Sequence, residues 1–415
     1  MRARKLKKNR RHNMAATRRP GRNHLFVPGP TNIPDRVQRA MIVPSEDHRS
    51  VDFPTLTKPL FEETKAVFGS TEGTIFLFPA SGTGIWESAL TNTLHRGDTV
   101  LTSRFGQFSH LWIDMAQRLG LNVIVQEEEW GTGANPQRIE EALRADTNHE
   151  IKAVMTVHNE TATGVTSDIG AVRKAIDAAG HPALLFVDGV SSIGSLPFYA
   201  DEWKVDCAIA GSQKGLMLPA GLGVICVSQK ALKAAESSSG PNDRLAHVYF
   251  DWADHQKQNG AGYFPYTPAL PLLYGLREAL ACLREEGLEN VYHRHAVLGE
   301  ATRQAVAAWG LKTCAKEAKW NSDTVTAILV PEGVDAAAII KHAFVRYNLA
   351  LGAGLSQVAG KVFRIGHVGD LNELSLLGAI AGAEMAMLDN GVKVQPGSGV
   401  AAASSYLREN PLAKS

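Results

Sequence analysis

The sequence predicts an α/β protein whose mainly parallel sheet is covered by helices on both faces, followed by a smaller C-terminal α+β domain. Three observations support this prediction. Between residues 55 and 235, helical and strand patterns alternate, as they do in proteins with parallel sheets. Several strand segments, such as residues 183–187, are almost continuously apolar, which is typical of strands buried on both faces. A chain of 415 residues is also too long for a single compact core.

The predicted elements follow one another in a regular order. In the larger domain, strands are predicted at 74–78, 99–102, 123–125, 153–157, 183–187, 207–211 and 222–227, and helices at 56–68, 85–94, 109–119, 168–179 and 270–286. In the smaller domain, helices at 288–309, 335–347 and 373–390 alternate with strands at 324–330 and 362–365. These patterns divide the chain into a leader (1–24), a large domain that includes an extended N-terminal segment (25–286), a small domain (287–391) and a poorly packed tail (392–415).

The composition is that of an ordinary globular protein, with 44% hydrophobic and 20% charged residues. No apolar stretch reaches the roughly 18 residues that would cross a bilayer, so we expect no membrane partner. The four cysteines show no C-x-x-C spacing, which favours free thiols in a reducing compartment over disulfides or metal ligands. We therefore expect a cytoplasmic protein without a bound metal.

Residues 1–13 form a basic arm, with seven Lys or Arg and no acidic residue. Such an arm could bind nucleic acid or direct targeting. However, it lacks an apolar signal core and has no aromatic residues among its charges. We therefore interpret the leader as a disordered segment and expect no nucleic-acid partner.

One lysine and one aspartate each follow a strand that is predicted to be buried. Lys214 lies between two apolar runs, and Asp188 ends the apolar run at 183–187. A partly desolvated amine and carboxylate suit a pyridoxal phosphate (PLP) enzyme, in which lysine forms the Schiff base and aspartate keeps the pyridine nitrogen protonated. Alone, such a lysine is usually solvated and such an aspartate is often a helix cap, so the inference depends on the pair.

Other predicted strand ends carry side chains that could bind the same cofactor. The glycine-rich turn 81–84 precedes a helix whose N-terminus could bind phosphate, although such glycines often serve only to tighten a turn. Phe105 could stack on a flat ring or belong to the core. Thr161 and Thr163 could bond a phenolic oxygen or satisfy turn backbone. Because these ends meet at one edge of an open α/β sheet, we predict a shared ligand site there.

Arg364 lies within an apolar strand of the small domain. A buried arginine needs an anion, and either a substrate carboxylate or an acidic side chain of the same domain could supply it. Arg49 offers a second cation near the extended N-terminal segment.

With these residues in place, the chain resembles the class V, fold-type I PLP aminotransferases, in particular the serine–glyoxylate and alanine–glyoxylate group. The resemblance covers residues 25–390. It rests on Pro28-Gly-Pro30, Ser81-Gly-Thr83, His158-Asn-Glu-Thr-Ala-Thr-Gly-Val165, Val187-Asp-Gly-Val190, Gly211-Ser-Gln-Lys-Gly215, Pro265-Tyr-Thr-Pro268 and Phe363-Arg-Ile-Gly366.

The resemblance implies a role for each matching residue. Lys214 would hold PLP covalently, and Asp188 would pair with the pyridine nitrogen. The remaining contacts to PLP would come from Phe105 and Val190 on the two ring faces, Thr161 at the phenolic oxygen, Ser81, Gly82, Thr83 and Gln213 at the phosphate, and Tyr266 and Thr267 of the partner subunit, also at the phosphate. The enzyme would then be a homodimer with shared active sites. Arg364 would bind the substrate carboxylate, with Gly29 and Arg49 as further substrate-binding residues.

The activity that the resemblance implies is transamination of L-serine with glyoxylate, giving hydroxypyruvate and glycine. An alanine–glyoxylate aminotransferase and a PLP lyase remain alternatives. A cysteine desulfurase would need a nucleophilic cysteine on a mobile loop, whereas Cys282 and Cys314 fall in or beside predicted helices. A cofactor-free Schiff-base aldolase that uses Lys214 would leave the phosphate turn unused.

Overall fold

The computed structural model describes residues 22–237 and 245–413, so the basic arm lies outside the described residues. The strands are β1 His24–Phe26, β2 Thr74–Phe78, β3 Thr99–Arg104, β4 Asn122–Glu127, β5 Ile151–Val157, β6 Asn159–Glu160, β7 Val165–Thr166, β8 Leu184–Asp188, β9 Cys207–Gly211, β10 Gly223–Val227, β11 Lys312–Thr313, β12 Val325–Leu329, β13 Leu349–Ala353 and β14 Val362–Gly366.

The helices alternate with these strands along most of the chain. They are α1 Asp35–Ala40, α2 Pro54–Val67, α3 Gly82–Thr93, α4 Gln107–Arg118, α5 Pro136–Ala145, α6 Ile169–Ala178, α7 Gln229–Ser237, α8 Trp252–Asn259, α9 Leu270–Glu286, α10 Leu288–Ala308, α11 Ala336–Tyr347, α12 Glu373–Asp389 and α13 Ser398–Glu409. No helix among residues 22–237 and 245–413 combines the length and the apolar character needed to span a membrane.

The large sheet has seven strands in the order β2-β10-β9-β8-β5-β3-β4. Its strands pair in parallel except for β10, which is antiparallel to both β2 and β9. Because two antiparallel pairings restore direction, β2 points the same way as β9. The carboxyl ends of β2, β3, β5, β8 and β9 therefore meet at one edge, which confirms the predicted α/β class with its mainly parallel sheet.

Strand β8 shows why the sequence contains continuous apolar runs. Leu185 and Val187 pack into the core on one face of the sheet, whereas Leu184 and Phe186 pack into the core on the other face. Side chains alternate between the faces of a strand, so a sheet covered on both sides needs apolar residues at every position. Burial of each such side chain contributes about 1.5–3 kcal/mol.

The second sheet has the order β1-β13-β14-β12-β11 and its own core. Strand β14 pairs antiparallel with both β12 and β13. Phe363 and Ile365 of β14 belong to the core under α12. Because side chains alternate along a strand, the intervening Arg364 projects from the opposite face.

Strand β1 belongs to the second sheet. The sequence predicts that the N-terminal segment from residue 25 accompanies the large domain, whereas β1 pairs in parallel with β13. The sequence did not indicate this pairing, because β13, the strand next to β1 in the sheet, is absent from the predicted strands.

The prediction of a poorly packed tail at 392–415 is wrong for helix α13. This helix packs against α10 and α12, and Ala403 and Leu407 are buried. Small residues let the helix approach closely: a Cβ at Gly399 would lie only 2.3 Å from the Trp309 indole nitrogen. The composition that suggested disorder instead permits tight packing.

We expect Leu407→Ala to lower the free energy of unfolding of the small domain by about 2–3 kcal/mol, because truncating a buried leucine leaves a cavity. Leu374→Ala is the control, since Leu374 is 79% exposed on α12. Urea denaturation followed by circular dichroism measures both changes. Equal midpoints for Leu407→Ala and the control would contradict the packing of α13.

Candidate active site

The predicted site residues converge at the carboxyl edge of the large sheet. Asp188 is the last residue of β8, and Lys214 lies three residues after β9. Thr161 follows β6, which continues from β5, and Ser81 lies just beyond β2. These side chains come from strands that are far apart in sequence, and the parallel pairing brings their ends to one edge.

Lys214 is buried, with 8% of its surface exposed. Its Nζ donates a hydrogen bond to the carbonyl oxygen of Pro28, and among the described residues no carboxylate forms an ion pair with it. Burial, together with the nearby charge of Arg364, lowers the pKa of Lys214 to about 8, and the charge of Asp188 opposes the shift. A substantial fraction of the amine is therefore neutral near physiological pH, as a nucleophile or base requires.

The N-terminal segment 27–31, which we call the strap, lies directly over Lys214. The backbone N–H of Thr31 donates to the carbonyl of Gln213 at 3.2 Å, and the Thr31 hydroxyl lies 3.3 Å from the carbonyl of Lys214. A Cβ built on Gly29 would lie 2.4 Å from Lys214 Nζ, so a glycine is needed for this close approach. The predicted substrate-binding residue Gly29 is thus placed against the lysine side chain.

Asp188 is also buried, and its Oδ1 accepts a 2.8 Å hydrogen bond from the backbone N–H of Val190. Burial raises the pKa of Asp188 to about 7; the Val190 N–H lowers it, the charge of Glu160 raises it and that of Lys214 lowers it. The buried indole of Trp86 also lowers the pKa of Asp188, although its Nε1 has no partner at normal hydrogen-bond geometry among the described residues. This carboxylate lacks a cationic hydrogen-bond donor in the described chain.

Three loops meet around Val190 and the predicted phosphate turn. The Ser81 hydroxyl caps helix α3 by accepting from the backbone N–H of Gly84 at 3.4 Å. A Cβ on Gly82 would lie 2.5 Å from Val190 Cγ2, so the turn packs directly on the loop that follows Asp188. Buried Gln213 Oε1 has no partner within the described ranges. Ser81 and Thr83 themselves are exposed at the helix N-terminus, where an anion could bind.

Arg364 reaches the large domain from strand β14. Its Nη1 donates to the carbonyl of Thr161 at 2.8 Å, and its Nε donates to the carbonyl of Ala353 at 2.9 Å. Burial lowers the pKa of Arg364 to about 10, and the charge of Glu160 opposes this shift. Across the part of the chain that the structure describes, no acidic side chain forms an ion pair with Arg364, so the structural alternative of a domain acid is not observed.

Both predicted threonines are buried behind this contact. The Thr161 hydroxyl donates to Ser191 Oγ at 3.1 Å. The Thr163 hydroxyl has no partner among the described residues. The structure therefore places Thr161, but not Thr163, in a hydrogen-bond chain with the loop that follows Asp188.

Among the described residues, no side-chain hydrogen bond or ion pair joins Phe105, Arg49, Tyr266 or Thr267 to this cluster. Phe105 is fully buried in the main core. Arg49 is exposed, and its backbone N–H donates to Asp47 at 2.9 Å. Tyr266 stacks on Tyr249 at a centroid distance of 5.3 Å, and Thr267 beside it is exposed. The ligand contacts of these four residues stay predictions.

Glu160 is the main site residue that the sequence reasoning missed. It lies beside Thr161, is fully buried and accepts hydrogen bonds from backbone N–H groups at the start of α4. A signal was present, because an acidic residue stands inside the motif at 158–165 on which the family resemblance rests. Its partners lie about 50 positions earlier in the chain, so their identity was not readable from the motif.

The cysteines do not provide a nucleophile for desulfurase chemistry. Cys207, Cys226 and Cys314 are buried, and Cys282 is partly buried on α9. Burial raises the pKa of all four thiols, to about 12 for Cys226. A raised pKa disfavours the reactive thiolate.

Comparisons with known proteins show the family of the chain. The family model "Aminotransferase class-V" matches residues 25–368. The chain is 90% identical over 401 residues to the serine–glyoxylate aminotransferase of Methylorubrum extorquens, covering 97% of this chain and all of the relative. It is 52% identical to the L-aspartate–glyoxylate aminotransferase of Paracoccus denitrificans, covering 94% of this chain and 98% of the relative.

A solved structure shows the same fold. The ureidoglycine–glyoxylate aminotransferase of Bacillus subtilis superimposes with a TM-score of 0.86 at 26% identity, covering 94% of this chain and 100% of that chain. The family match spans the lysine and aspartate loops, the phosphate turn and the arginine strand. The chain therefore belongs to the class-V aminotransferase family.

Proposed function

We propose that this chain is a PLP-dependent aminotransferase that transfers the amino group of L-serine to glyoxylate, giving hydroxypyruvate and glycine. The observation that carries this proposal is the burial of Lys214 and Asp188 at one sheet edge, each without an opposite charge bound to it. The choice of serine rests on the similarity to the Methylorubrum extorquens relative, which bears that activity in its name.

The residues present fit PLP at each of its polar ends. The exposed N-terminus of α3, with Ser81 and Thr83, suits a phosphate, and Gln213 would donate to it through the N–H groups of its side-chain amide. The carboxylate of Asp188 suits a protonated ring nitrogen, because a cationic donor would offset the cost of its burial. Val190 would contact one face of the ring, Phe105 the other, and Thr161 the phenolic oxygen.

When bound, PLP supplies an electron sink for the carbanion that forms at the substrate Cα. The chain supplies the rest of the chemistry. Lys214, with its lowered pKa, would take the proton from the substrate Cα as a base and, as an acid, deliver it to the cofactor carbon C4′, so that the amino group stays with the cofactor. Asp188 holds the proton on the ring nitrogen, and the strap over Lys214 limits the access of water to the amine.

Arg364 binds the carboxylate that serine and glyoxylate have in common. The guanidinium is buried, and the observed contacts use Nε and Nη1, so further N–H donors are available for a substrate. Gly29 and Arg49 would complete the substrate site. Because one cation serves both half-reactions, the amino donor and the keto acceptor bind in turn, which predicts ping-pong kinetics.

The proposal includes a homodimer in which Tyr266 and Thr267 of the partner subunit contact the phosphate. Exposed apolar side chains support it: Val51 and Val248 are 95% and 73% exposed, and Tyr249, which stacks on Tyr266, is 40% exposed. We also propose a cytoplasmic location, supported by four cysteines that are all free thiols. The partners would be small substrates and PLP, without nucleic acid or membrane.

A steady-state panel tests the proposed reaction. Serine, alanine and aspartate are each paired with glyoxylate and pyruvate, with wild type and Arg364→Ala compared throughout. We expect the highest kcat/KM for serine with glyoxylate and parallel double-reciprocal lines. Removal of the charged clamp should lower kcat/KM about 100-fold for donor and acceptor alike. A higher kcat/KM with alanine or aspartate would contradict serine as the amino donor. Unchanged KM values in Arg364→Ala would show that Arg364 does not bind the substrate carboxylate.

Lys214→Ala should abolish turnover and the borohydride-reducible attachment of PLP, because the covalent bond needs the amine at this position. Lys204→Ala is the control, since Lys204 is an exposed lysine that contacts Asp177 instead. Borohydride reduction followed by peptide mass spectrometry identifies the labelled residue. Labelling of another lysine in Lys214→Ala, at the wild-type level, would remove Lys214 from its assigned role.

Gly29→Ala should weaken PLP binding about tenfold or more, because the new methyl group would displace the Lys214 side chain. Gly97→Ala separates this collision from backbone strain: Gly97 has φ +86°, close to the +102° of Gly29, but a Cβ there would meet nothing within 4 Å. Both variants should lose stability, and only Gly29→Ala should lose cofactor affinity in an absorbance titration. Equal affinities would show that the strap does not control Lys214.

A further inference from the structure

Glu160 is a fully buried carboxylate that lacks a cationic partner among residues 22–237 and 245–413. Its oxygens accept from the backbone N–H groups of Phe108 at 3.0 Å, Ser109 at 3.1 Å and Ala162 at 3.2 Å. An unpaired buried carboxylate costs several kcal/mol unless dipoles replace its hydration. Here, two of the three donors belong to the first turn of α4, where the helix dipole favours a negative charge.

The contacts of Glu160 fix the turn that begins α4. Phe105, the residue expected to face the cofactor ring, lies directly before Gly106, the N-cap residue of this helix. A Cβ on Gly106 would lie 2.2 Å from Glu160 Cδ, so the side chain of Glu160 packs directly against the backbone of Gly106. From the other side, Ser109 Oγ accepts from the N–H groups of Phe105 and Gly106, each at 3.1 Å. The backbone beneath the Phe105 ring is thus held from two directions.

The charge of Glu160 also acts on the site. It raises the pKa of Asp188 and that of Arg364, so both groups lie within its electrostatic reach. Burial raises the pKa of Glu160 itself, and the hydrogen bonds from Ser109, Ala162 and Phe108 oppose that rise. The geometry of the N–H donors matches the ionised form, which only accepts hydrogen bonds.

We propose that Glu160 is a positioning residue, which holds the start of α4 and the Phe105 ring at the cofactor site and supplies a fixed negative charge near Asp188 and Arg364. This inference rests on the proposed PLP-dependent function. It extends that function because the hydrogen bonds of Glu160 go to backbone N–H groups and not to the side chains expected to hold the cofactor, so Glu160 acts through the backbone that carries them.

The test compares Glu160→Gln with a matched variant, Glu384→Gln. Glu384 is likewise a buried carboxylate, and it accepts from the backbone N–H groups of Gly397 and Gly399 at the start of α13 and from the Trp309 indole. It therefore repeats the capping role in the small-domain core, away from the sheet edge that carries Asp188 and Lys214. Both substitutions remove one charge and place an amide against N–H donors.

In the purified full-length protein, Glu160→Gln should weaken PLP affinity about tenfold or more, whereas Glu384→Gln should stay within about twofold of wild type. The pH midpoint of the bound cofactor's visible absorption should fall by about 0.5 or more in Glu160→Gln only, because a nearby negative charge favours protonated nitrogen. In the cofactor-free protein, hydrogen exchange of residues 105–112 should accelerate only in that variant. Wild-type affinity, midpoint and exchange in Glu160→Gln would overturn the proposal.

Two further variants keep the test decisive. If Glu160→Gln does not fold, Gly106→Ala moves the carboxylate by steric contact while keeping its charge, and Gly106 has extended backbone that alanine tolerates. Glu160→Asp keeps the negative charge on a shorter side chain. It should therefore have the wild-type pH midpoint of the cofactor absorption, while residues 105–112 still exchange hydrogen faster than in wild type. If wild type itself binds no PLP, the proposed function fails, and the exchange experiment on cofactor-free protein still reports the role of Glu160 at α4.

Discussion

Four charged side chains are buried together at the carboxyl edge of the large sheet: Lys214, Arg364, Asp188 and Glu160. Each loses hydration worth several kcal/mol, and none of them forms a direct ion pair with another in the described chain. Their contacts are mostly backbone groups, such as the Pro28 carbonyl for Lys214 and the Val190 N–H for Asp188. Buried charges without a charged partner can still bind a ligand that carries both positive and negative groups. The same burial lowers the pKa of Lys214 and raises that of Asp188, so one cause acts on both of the proposed catalytic groups.

The strap shows how tightly the surrounding backbone must fit around these charges. It crosses between Lys214 and the second sheet, and glycines stand where it passes β13 and β14. A Cβ on Gly352 would lie 2.8 Å from the Pro28 ring, and one on Gly366 would lie 2.4 Å from the Val27 carbonyl oxygen. Because β1 is fixed in the second sheet while Thr31 bonds the Lys214 loop, this short segment connects the small domain to the lysine. Its position depends on both domains at once.

The sequence predicted those parts of the molecule whose cause is local. Continuous apolar strands identified the large sheet, and the placement of Lys214 and Asp188 after such strands predicted their burial. Features that depend on distant contacts were missed or wrong. Strand β1 needed its partner β13, and the packing of α13 needed the close contact of Gly399 with Trp309. The capping of α4 by Glu160 joins segments about 50 residues apart, which no short motif records.

The position of Arg364 follows from the pleat of β14 rather than from the site itself. Phe363 and Ile365 are drawn into the small-domain core, so the residue between them must project from the opposite face of the strand. Its Nη1 then meets the Thr161 carbonyl of the large domain at 2.8 Å. The distance between the guanidinium and Lys214 is consequently set by how the two domains pack. Arg364, the proposed carboxylate clamp, therefore stands on the small domain, whereas the proposed PLP contacts lie mainly at the edge of the large sheet.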